Sequence, residues 1–494
     1  GIAVMCDEDI KVYKAVGKLQ NLRDKLKGHE PEFNNSTMGI GHIRWATHGA
    51  PTLLNAHPHT CNCGNLVVVH NGIIENYKEL RKSLEEAGCI FRSQTDTETV
   101  AHLVARKYAE CKDLTEAVRL ASLEIEGAYA LCVMHNDCKN TLVITKRNAP
   151  LLIGIGEGEY FAASDVPAII KHTNKAVYLE DNQIATLTPN SMDIIDIEKN
   201  KIAPKIEVLP WEPVALSKMG YKHFMLKEIH EQPDVIRNIL VGRLHAPDEN
   251  VILNEVNLDK ERLKHLHRIQ IIACGTSLHA AMVGKYLIES FCGIAVDVEA
   301  SSEYIYRKTV TDEHTLVIGV SQSGETADTL TAIRQAKAKG SHILIITNRP
   351  DSAMAREADS LIPVNAGIEV SVAATKSYVA QLMAFYLLAL YMAEVKDSIA
   401  ASTLTSLKAE LMILPQKIEQ ILAHKEDIQA VARAYANTKD FIYIARGINY
   451  PTALEGALKL KEISYINATG YPAGELKHGT ISLIENGTLV VSIA

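Results

Sequence analysis

A short polar loop follows an apolar run in the second half of the chain. Residues 316–320 are apolar or glycine and predict a buried strand, and residues 325–338 favour a helix. The loop between them carries Ser321, Gln322 and Ser323, and Thr326 lies at the start of the expected helix. A strand–loop–helix junction directs backbone N–H groups toward one point, and the helix dipole adds about 0.3–1 kcal/mol of attraction for an anion. The sequence therefore predicts a phosphate site, with simple helix capping by the hydroxyls as the alternative.

A charged helix face nearer the end of the chain is a second candidate for chemistry. Glu455, Lys459 and Glu462 are spaced i, i+4 and i+7, so a helix would place all three on one face. This face is either a surface stripe of ion pairs or a surface turned toward the phosphate loop. In the second case burial could raise the pKa of a glutamate for acid–base work. The residues alone leave both interpretations open.

Two segments of the first half carry further candidates. One places Arg44, Thr47 and His48 around an expected strand end, and the other ends an expected buried strand with Asn71 and Gly72. An asparagine side chain beside a glycine N–H is a plausible oxyanion hole for acyl transfer. Asn-Gly is also an ordinary turn, and without further support the turn is the simpler interpretation.

Composition limits the partners. The chain has 494 residues, which suggests about three domains, and its net charge of −8 argues against nucleic acid or an anionic membrane as a partner. The most apolar helix, 377–395, contains Gln381 and Glu394, so we expect a buried core helix rather than a membrane span. Nine scattered cysteines favour free thiols in a reducing, cytoplasmic compartment. The His- and Cys-containing segment 57–63 matches no standard zinc pattern, so we expect an ordinary loop and no metal.

Patterning along the chain divides it into two kinds of structure. The pattern of residues 1–210 predicts an α+β layered domain with helices at 97–110 and 114–125 and short strands that include 160–163 and 184–187. The glycines of 154–158 lie between two strand-like runs and predict a hairpin rather than a dinucleotide loop, because no helix follows. From residue 269 strands and helices alternate, which implies a parallel sheet with helices on both faces.

An internal repeat occurs in the second half. Residues 269–275 resemble residues 441–447, and residues 315–318 resemble residues 488–491, as two copies of one sheet domain would. The chain would then stop at Ala494 inside the second copy, leaving an unpaired sheet edge. We therefore expect the natural protein to continue beyond Ala494.

Taken together, these motifs resemble the glutamine–fructose-6-phosphate aminotransferase (isomerising) family, also called glucosamine-6-phosphate synthases. The resemblance covers nearly the whole chain. The motifs similar to the glutaminase half of the family are 44–49, 70–76 and 95–98. Those similar to its sugar-isomerase half are 273–277, 321–329, 372–376, 454–462 and 474–479.

The resemblance implies a fold and an activity. The expected fold is an α+β glutaminase domain of the Ntn-hydrolase-like αββα type, followed by two α/β SIS sugar-isomerase domains with parallel sheets. The expected segments are 1–212 for the glutaminase, 213–235 for a linker, 236–400 for the first SIS domain and 401–494 for an incomplete second one. Members release ammonia from glutamine, pass it through an internal channel and convert fructose 6-phosphate to glucosamine 6-phosphate, the first step of hexosamine and UDP-N-acetylglucosamine synthesis.

Partners follow from the same resemblance. Glutamine and fructose 6-phosphate would be the substrates, a homodimer is implied, and no cofactor is expected. Two alternatives have other functions. One is a sugar-phosphate-binding regulatory protein with a non-catalytic glutaminase domain, and the other is an amidotransferase that acts on a different acceptor.

The resemblance also assigns roles to residues. Glutamine would be held by Arg44, Thr47, His48 and Asp96, with Trp45 gating the channel and Asn71 and Gly72 forming the oxyanion hole. The sugar phosphate would be held by Thr276, Ser277, Ser321, Gln322, Ser323, Thr326 and the backbone of Val372. Glu462 would move a proton between C1 and C2 with Lys459 nearby, and His478 would open the sugar ring in a neighbouring subunit.

Two departures from the family pattern bear on activity. The family's nucleophile is an N-terminal cysteine whose own amine acts as base, whereas this sequence begins at Gly1, and Cys6 is a poor substitute. The family's C-terminal tail, which carries a lysine used in ring opening, is also missing. We therefore expect that protein of this sequence and no more does not hydrolyse glutamine.

Overall fold

The computed structural model describes residues 1–7, 9–33, 35–44, 49–209, 217–485 and 487–494. The chain divides into two compact units, unit 1 (Gly1–Ala215) and unit 2 (Leu216–Ala494). Each unit has its own buried apolar core.

Unit 1 is built mainly from antiparallel strands. Its strands are β1 Ile2–Met5, β2 Ile10–Tyr13, β3 Gly39–Gly41, β4 His59–Thr60, β5 Leu66–Ile74, β6 Gly127–His135, β7 Leu142–Arg147, β8 Leu152–Ile155, β9 Tyr160–Ala163, β10 Lys175–Tyr178, β11 Ile184–Leu187, β12 Met192–Ile195, β13 Lys201–Ile202 and β14 Glu207–Val208. Its helices are α1 Leu19–Leu26, α2 Tyr77–Glu86, α3 Thr97–Cys111 and α4 Leu114–Glu124.

The described strands of unit 1 form stacked sheets. The largest has the order β13-β12-β11-β7-β6-β5-β4, a second has β14-β10-β8-β9, and a small one has β2-β1-β3. Helices α3 and α4 bury their apolar sides on one face of the largest sheet. The other face packs against the β8–β10 sheet through side chains such as Ile144 and Ile153. This is the layered α+β arrangement that the patterning predicts.

Several predicted elements of unit 1 are confirmed. The strands at 160–163 and 184–187 and the start of both helices lie where alternation and helix signals place them. The glycine-rich segment 154–158 connects β8 and β9, which pair antiparallel from Leu152–Ala163 to Ile155–Tyr160. It is therefore the hairpin that the sequence predicts.

Among its described residues, unit 2 contains two parallel sheets, a larger one of five strands and a smaller one of three. Its strands are β15 Arg268–Ala273, β16 Val296–Ala300, β17 Thr315–Ser321, β18 His342–Thr347, β19 Ser360–Pro363, β20 Asp440–Ala445, β21 Asn467–Pro472 and β22 Leu489–Ile493. Its helices are α5 Phe224–His230, α6 Gln232–Leu240, α7 Lys260–His265, α8 Gly275–Cys292, α9 Ser301–Tyr304, α10 Ala327–Lys337, α11 Ala353–Glu357, α12 Lys376–Lys396, α13 Ala401–Ala423, α14 Lys425–Ala434 and α15 Tyr450–Ser464.

The strand order of the larger sheet is β16-β15-β17-β18-β19, and every described pairing in it is parallel. Apolar side chains of α6, α8 and α12 pack on one face, and those of α9, α10 and α11 pack on the other. Burial on both faces explains why these strands are almost continuously apolar, as in β17. The predicted parallel sheet with helices on both faces is confirmed.

The predicted repeat is visible in the topology. β20 lies between β21 and β22, as β15 lies between β16 and β17, and both sets are parallel. A helix follows the central strand in each copy, α8 in the first and α15 in the second, and these two helices pack on each other. The repeat thus brings two equivalent strand–helix units together.

Helix α12 is long and apolar enough to cross a membrane by length and composition. In the structure its residues from Ala380 to Ala393 supply much of the core of unit 2, and Phe385 is fully buried. Gln381 is buried in that core, and Glu394 forms an ion pair with Lys408 at 3.0 Å. This is the buried core helix that the sequence predicts.

Candidate active site

The larger parallel sheet of unit 2 reverses its strand order between β15 and β17. From β15 the chain moves outward to β16, and from β17 it moves in the opposite direction to β18 and β19. Ligands of open parallel sheets bind outside the carboxyl ends of the strands at such a point. The segment after β15 carries Thr276 and Ser277, and β17 ends at Ser321, directly before the loop. The topology therefore brings the predicted phosphate residues to one edge of the sheet.

Hydroxyl groups order the loop after β17. Ser321 Oγ accepts from the Gly324 N–H at 3.0 Å and lies 2.9 Å from Thr326 Oγ1. Ser323 Oγ accepts from the Glu325 N–H at 3.2 Å. Thr326 is the residue before α10, yet its side chain makes no capping hydrogen bond within the described chain. The hydroxyls thus shape the loop rather than cap the helix.

The start of this helix differs from the prediction. α10 begins at Ala327, two residues after the expected start at Glu325. Gly324 has φ +65°, outside the right-handed helical region, and a Cβ there would meet Ser352 Oγ at 2.0 Å. The Glu325 carboxylate accepts from the Ala353 N–H at 2.8 Å, which fixes it to the neighbouring turn. These tertiary contacts override the local helix preference.

The charged face of α15 packs on the beginning of α8. Glu455 is only 5% exposed, and its Oε1 accepts from Thr276 Oγ1 at 3.0 Å. Its Oε2 lies 2.7 Å from His279 Nδ1. Helix α8 thus places Thr276 and His279, spaced i and i+3, against one buried carboxylate. The interpretation of this face as a surface stripe is wrong for Glu455.

A lysine links Glu455 to Glu462. Lys459 Nζ lies 3.5 Å from Glu455 Oε1 and 2.5 Å from Glu462 Oε2. The side chain of Lys459 is mostly buried, whereas that of Glu462 is 35% exposed. The buried glutamate of the face is therefore Glu455, and Glu462 lies at its outer end. The structure brings Thr276, Lys459 and Glu462 into one connected cluster.

His478 lies apart from this cluster. It follows a short 3-10 turn at Glu475–Lys477, its side chain is exposed, and its N–H donates to Glu475 O at 3.0 Å. Among the described residues no hydrogen bond or ion pair joins its ring to Glu462.

The loop that carries Val372 is held by two carboxylates, of which Glu228 is buried and Glu369 is half-buried. Val372 itself is 86% exposed. Glu228 of α5, only 2% exposed, accepts from the Val370 N–H at 2.6 Å, from the Ser371 N–H at 3.1 Å and from the Ser371 hydroxyl. Glu369 accepts from the Thr375 N–H at 2.8 Å. The backbone of this loop is thus fixed while the Val372 side chain faces outward.

In unit 1, Asn71 and Gly72 lie inside a strand. β5 continues to Ile74, and Asn71 and Gly72 pair with Ala130 and Tyr129 of β6. The prediction that the strand ends in an Asn-Gly turn is therefore wrong. The expected positive φ is present, +137° at Gly72. The side chain of Asn71 is exposed and donates to Ser164 Oγ at 3.4 Å.

Asp96 lies next to this strand. It is 4% exposed, precedes α3, and accepts from the Ile74 N–H at 2.9 Å through Oδ2. Arg44 donates to the Gly49 carbonyl at 3.1 Å. Burial lowers the pKa of Arg44, and attraction to Asp96 opposes that shift. The cation and the carboxylate are thus electrostatically coupled, which fits a site that binds both ends of an amino acid.

Four histidines, His42, His57, His59 and His70, lie near Arg44 and Asp96. His42 and His57 stack with their ring centroids 4.3 Å apart, and His59 Nε2 lies 3.1 Å from Thr95 Oγ1. His70 Nδ1 lies 3.0 Å from Thr97 Oγ1 and 3.9 Å from the Asp96 carboxylate. Burial, with repulsion from neighbouring cations, lowers the pKa of His42 to about 4 and that of His59 to about 3. The His42 and His59 rings are therefore neutral near pH 7.

Other predicted residues fall outside this geometry. Trp45, Thr47 and His48 lie outside the described residues. Of the segment 57–63, His59 and Thr60 form β4, which pairs with β5. In the described part of the chain no three His, Cys, Asp or Glu residues are placed to hold a metal ion.

Comparison with known proteins supports the expected domain type in both halves of the chain. Residues 1–217 match the family model of the glutamine amidotransferase domain, and residues 262–391 and 434–494 match that of the SIS domain. The chain is 47% identical over 494 residues to the glutamine–fructose-6-phosphate aminotransferase (isomerizing) of Caldanaerobacter subterraneus, a match that covers all of this chain and 80% of that protein. The chain belongs to the glutamine–fructose-6-phosphate aminotransferase (isomerizing) family.

Further relatives of this aminotransferase family are similar. The enzyme of the same name from Gloeobacter violaceus is 48% identical over 495 residues, with 100% of this chain and 80% of that protein covered. Among solved structures, the C-terminal domain of glucosamine-fructose-6-phosphate aminotransferase from Francisella tularensis has 39% identity and a TM-score of 0.54. That match covers 56% of this chain and 77% of the other. A regulatory protein without catalysis is not favoured by these relatives.

Sequence reasoning missed two residues that contact the candidate site. His279 and Glu228 were not among the expected residues, although each contacts a segment that was. The i, i+3 spacing of Thr276 and His279 on a helix was the available signal for the first. For Glu228 the chain gave no signal, because its partners lie 142 and 143 residues away.

Proposed function

We propose that this chain, when it is preceded by the N-terminal cysteine nucleophile of its family, transfers the amide nitrogen of glutamine to fructose 6-phosphate and isomerises the product to glucosamine 6-phosphate, with glutamate released. The observation that carries the proposal is the 3.0 Å hydrogen bond from Thr276 to Glu455. This hydrogen bond joins the edge of the larger parallel sheet, where the phosphate is predicted to bind, to α15, the helix that carries Glu462 and packs on the smaller sheet. A sugar phosphate bound at that edge would therefore lie beside ionisable groups.

In this proposal the loops after β15 and β17 hold the phosphate group of the sugar. The phosphate would be bound by the N–H groups of Thr276, Ser277, Ser321, Gln322, Ser323 and Thr326 and by hydroxyls of this set other than that of Thr276, which donates to Glu455. Their position at the beginning of two helices, α8 and α10, favours an anion through the helix dipoles. The exposed loop at Val372 would contact the sugar through its backbone.

Glu455, Lys459 and Glu462, here called the α15 cluster, would carry out the proton transfers. Glu462 would move a proton between C1 and C2, because it is the outer, solvent-accessible carboxylate of the cluster. Lys459, 2.5 Å from it, would stabilise its charged form. His478 would open the sugar ring of a neighbouring subunit, which its exposed position permits. We therefore also propose a homodimer.

Unit 1 would supply ammonia. Asp96 would hold the ammonium group of glutamine, and Arg44 its carboxylate, together with Thr47 and His48. Asn71 and Gly72 would stabilise the oxyanion, and Trp45 would gate the passage of ammonia. The cysteines of the described residues are all free thiols, which fits a cytoplasmic enzyme.

The test is the formation of glucosamine 6-phosphate by the purified protein. The substrate is fructose 6-phosphate, supplied with glutamine in one reaction and with an ammonium salt in another. Product in both reactions supports the proposal for both units. Product with ammonia alone supports only the role of unit 2. If neither nitrogen source yields product while fructose 6-phosphate binds, the proposed function is refuted.

A further inference from the structure

Glu455 is the most deeply buried charged group of the α15 cluster. A carboxylate that is 5% exposed needs hydrogen-bond donors, because burial of an uncompensated charge is costly. The described donors lie on different sides of it. Thr276 and Lys459 face Oε1 at 3.0 and 3.5 Å, and His279 faces Oε2 at 2.7 Å.

The contact with His279 is the shortest of these. An ionised carboxylate only accepts hydrogen bonds, so Nδ1 of His279 carries the proton and donates. A distance of 2.7 Å is in the range of charge-assisted hydrogen bonds. The side chain of His279 is only 14% exposed, so little water competes for Oε2. His279 therefore fixes the orientation of the Glu455 carboxylate.

That orientation matters because Lys459 has two carboxylate partners. Its Nζ lies 2.5 Å from Glu462 and 3.5 Å from Glu455. With His279 in place, Oε2 of Glu455 is occupied and Lys459 stays with Glu462. Without that donor, the buried carboxylate lacks compensation and attracts the nearest mobile cation, which is Lys459.

We propose that His279 is a positioning residue for the isomerisation, acting through Glu455 on the Lys459–Glu462 pair. It touches neither the sugar nor the reacting atoms. The inference rests on the proposed function, in which Glu462 moves the proton. A shift of about 1 Å in a catalytic group can cost on the order of 100-fold in rate, so the effect should appear in kcat.

The test replaces His279 with Leu and with Asn, and assays both with ammonia and fructose 6-phosphate. Leu removes the donor, and Asn places an amide N–H near the position of Nδ1. The expected kcat falls roughly 10- to 100-fold for H279L and returns to within about fivefold of wild type for H279N, while KM changes less than about threefold.

Three further variants separate positioning from loss of packing. Together with H279L, the variants E455Q and H279L/E455Q complete a double-mutant cycle. If His279 acts through Glu455, the kcat of the double variant is no lower than that of E455Q alone. His342→Leu removes a ring of similar burial from the amino end of β18, and it should leave kcat unchanged even if stability falls.

The outcomes distinguish the inference from the function on which it rests. Wild-type protein that binds fructose 6-phosphate but forms no product refutes the proposed function. Active wild type with an unchanged kcat in H279L refutes the inference alone. Fully additive losses in the cycle, or equal losses in H279L and H342L, also overturn it, because they indicate packing rather than positioning.

Discussion

A Cβ atom on Gly72 would lie 2.0 Å from the carbonyl oxygen of Ala128 on the adjacent strand. Gly72 also has φ +137°, a backbone conformation that other residues rarely adopt. The close approach of β6 and the backbone conformation therefore both require glycine at this position. Its N–H, next to the exposed Asn71, is held in place by two strands rather than by a flexible turn.

Gly72→Ala should therefore destabilise unit 1 and remove glutamine-dependent activity. The backbone conformation alone costs on the order of 1–3 kcal/mol, and the clash with Ala128 adds to it. Gly158→Ala is the matched control, since Gly158 also has a positive φ, +72°, and a Cβ atom added there would have no other atom within 4 Å. Urea denaturation should show a clearly larger loss of unfolding free energy for Gly72→Ala. Equal losses would contradict the steric explanation.

Asp96→Asn should weaken glutamine binding without impairing unit 2. Asn keeps an oxygen that can accept from the Ile74 N–H but loses the charge that would pair with an ammonium group. Loss of a charged hydrogen bond of about 1.5–3 kcal/mol corresponds to a rise in the KM for glutamine of roughly 10- to 100-fold. Steady-state kinetics with glutamine and with ammonia measure the effect.

The matched control is Asp113→Asn, because Asp113 also precedes a helix and accepts from the Glu116 N–H at 3.0 Å. That variant should keep the KM for glutamine. A parallel loss of the ammonia-dependent rate in Asp96→Asn would show a global defect instead of a binding role.

The sequence predicted elements well wherever local pattern decides them. β9 and β11 were predicted to the residue because alternation and turn residues bound them. Asn71 and Gly72 were misread because a positive φ indicates a turn unless a neighbouring strand comes close, and that neighbour is 56 residues away along the chain, at Ala128.

In the candidate site, too, local pattern was predictable from the sequence and long-range contacts were not. The i, i+4, i+7 pattern identified one face of α15, but it did not reveal which glutamate is buried. That depends on Thr276 and His279, which reach Glu455 from 179 and 176 residues away. Sequence reasoning thus finds a functional face, and only tertiary contacts rank the residues on it.

Glu228→Gln should loosen the loop that carries Val372. The Glu228 carboxylate accepts from two backbone N–H groups and a hydroxyl, and an amide NH2 in its place would face donors. We expect a loss of about 1–3 kcal/mol in unfolding free energy. We also expect roughly a tenfold rise in the KM for fructose 6-phosphate, equivalent to about 1.4 kcal/mol.

The exposed Glu313→Gln serves as control for the loss of one negative charge in unit 2, and it should change neither quantity. A Glu228→Gln protein with lower stability but an unchanged KM would show that the loop backbone does not contact the sugar.

The stability of unit 1 should decrease as the pH falls from about 6.5 to about 4. The folded pKa of His42 is about 4 because burial, and then the charge of His70, oppose protonation, whereas the ordinary value for histidine is 6.5. Between those pH values the unfolded state binds more protons, so unfolding free energy rises with pH, by at most roughly 3 kcal/mol for this residue. Thermal melts at pH 7 and pH 5 measure the slope. His42→Asn should reduce it, whereas His172→Asn, which removes an exposed ring, should not. An undiminished slope in His42→Asn would assign the effect to other groups.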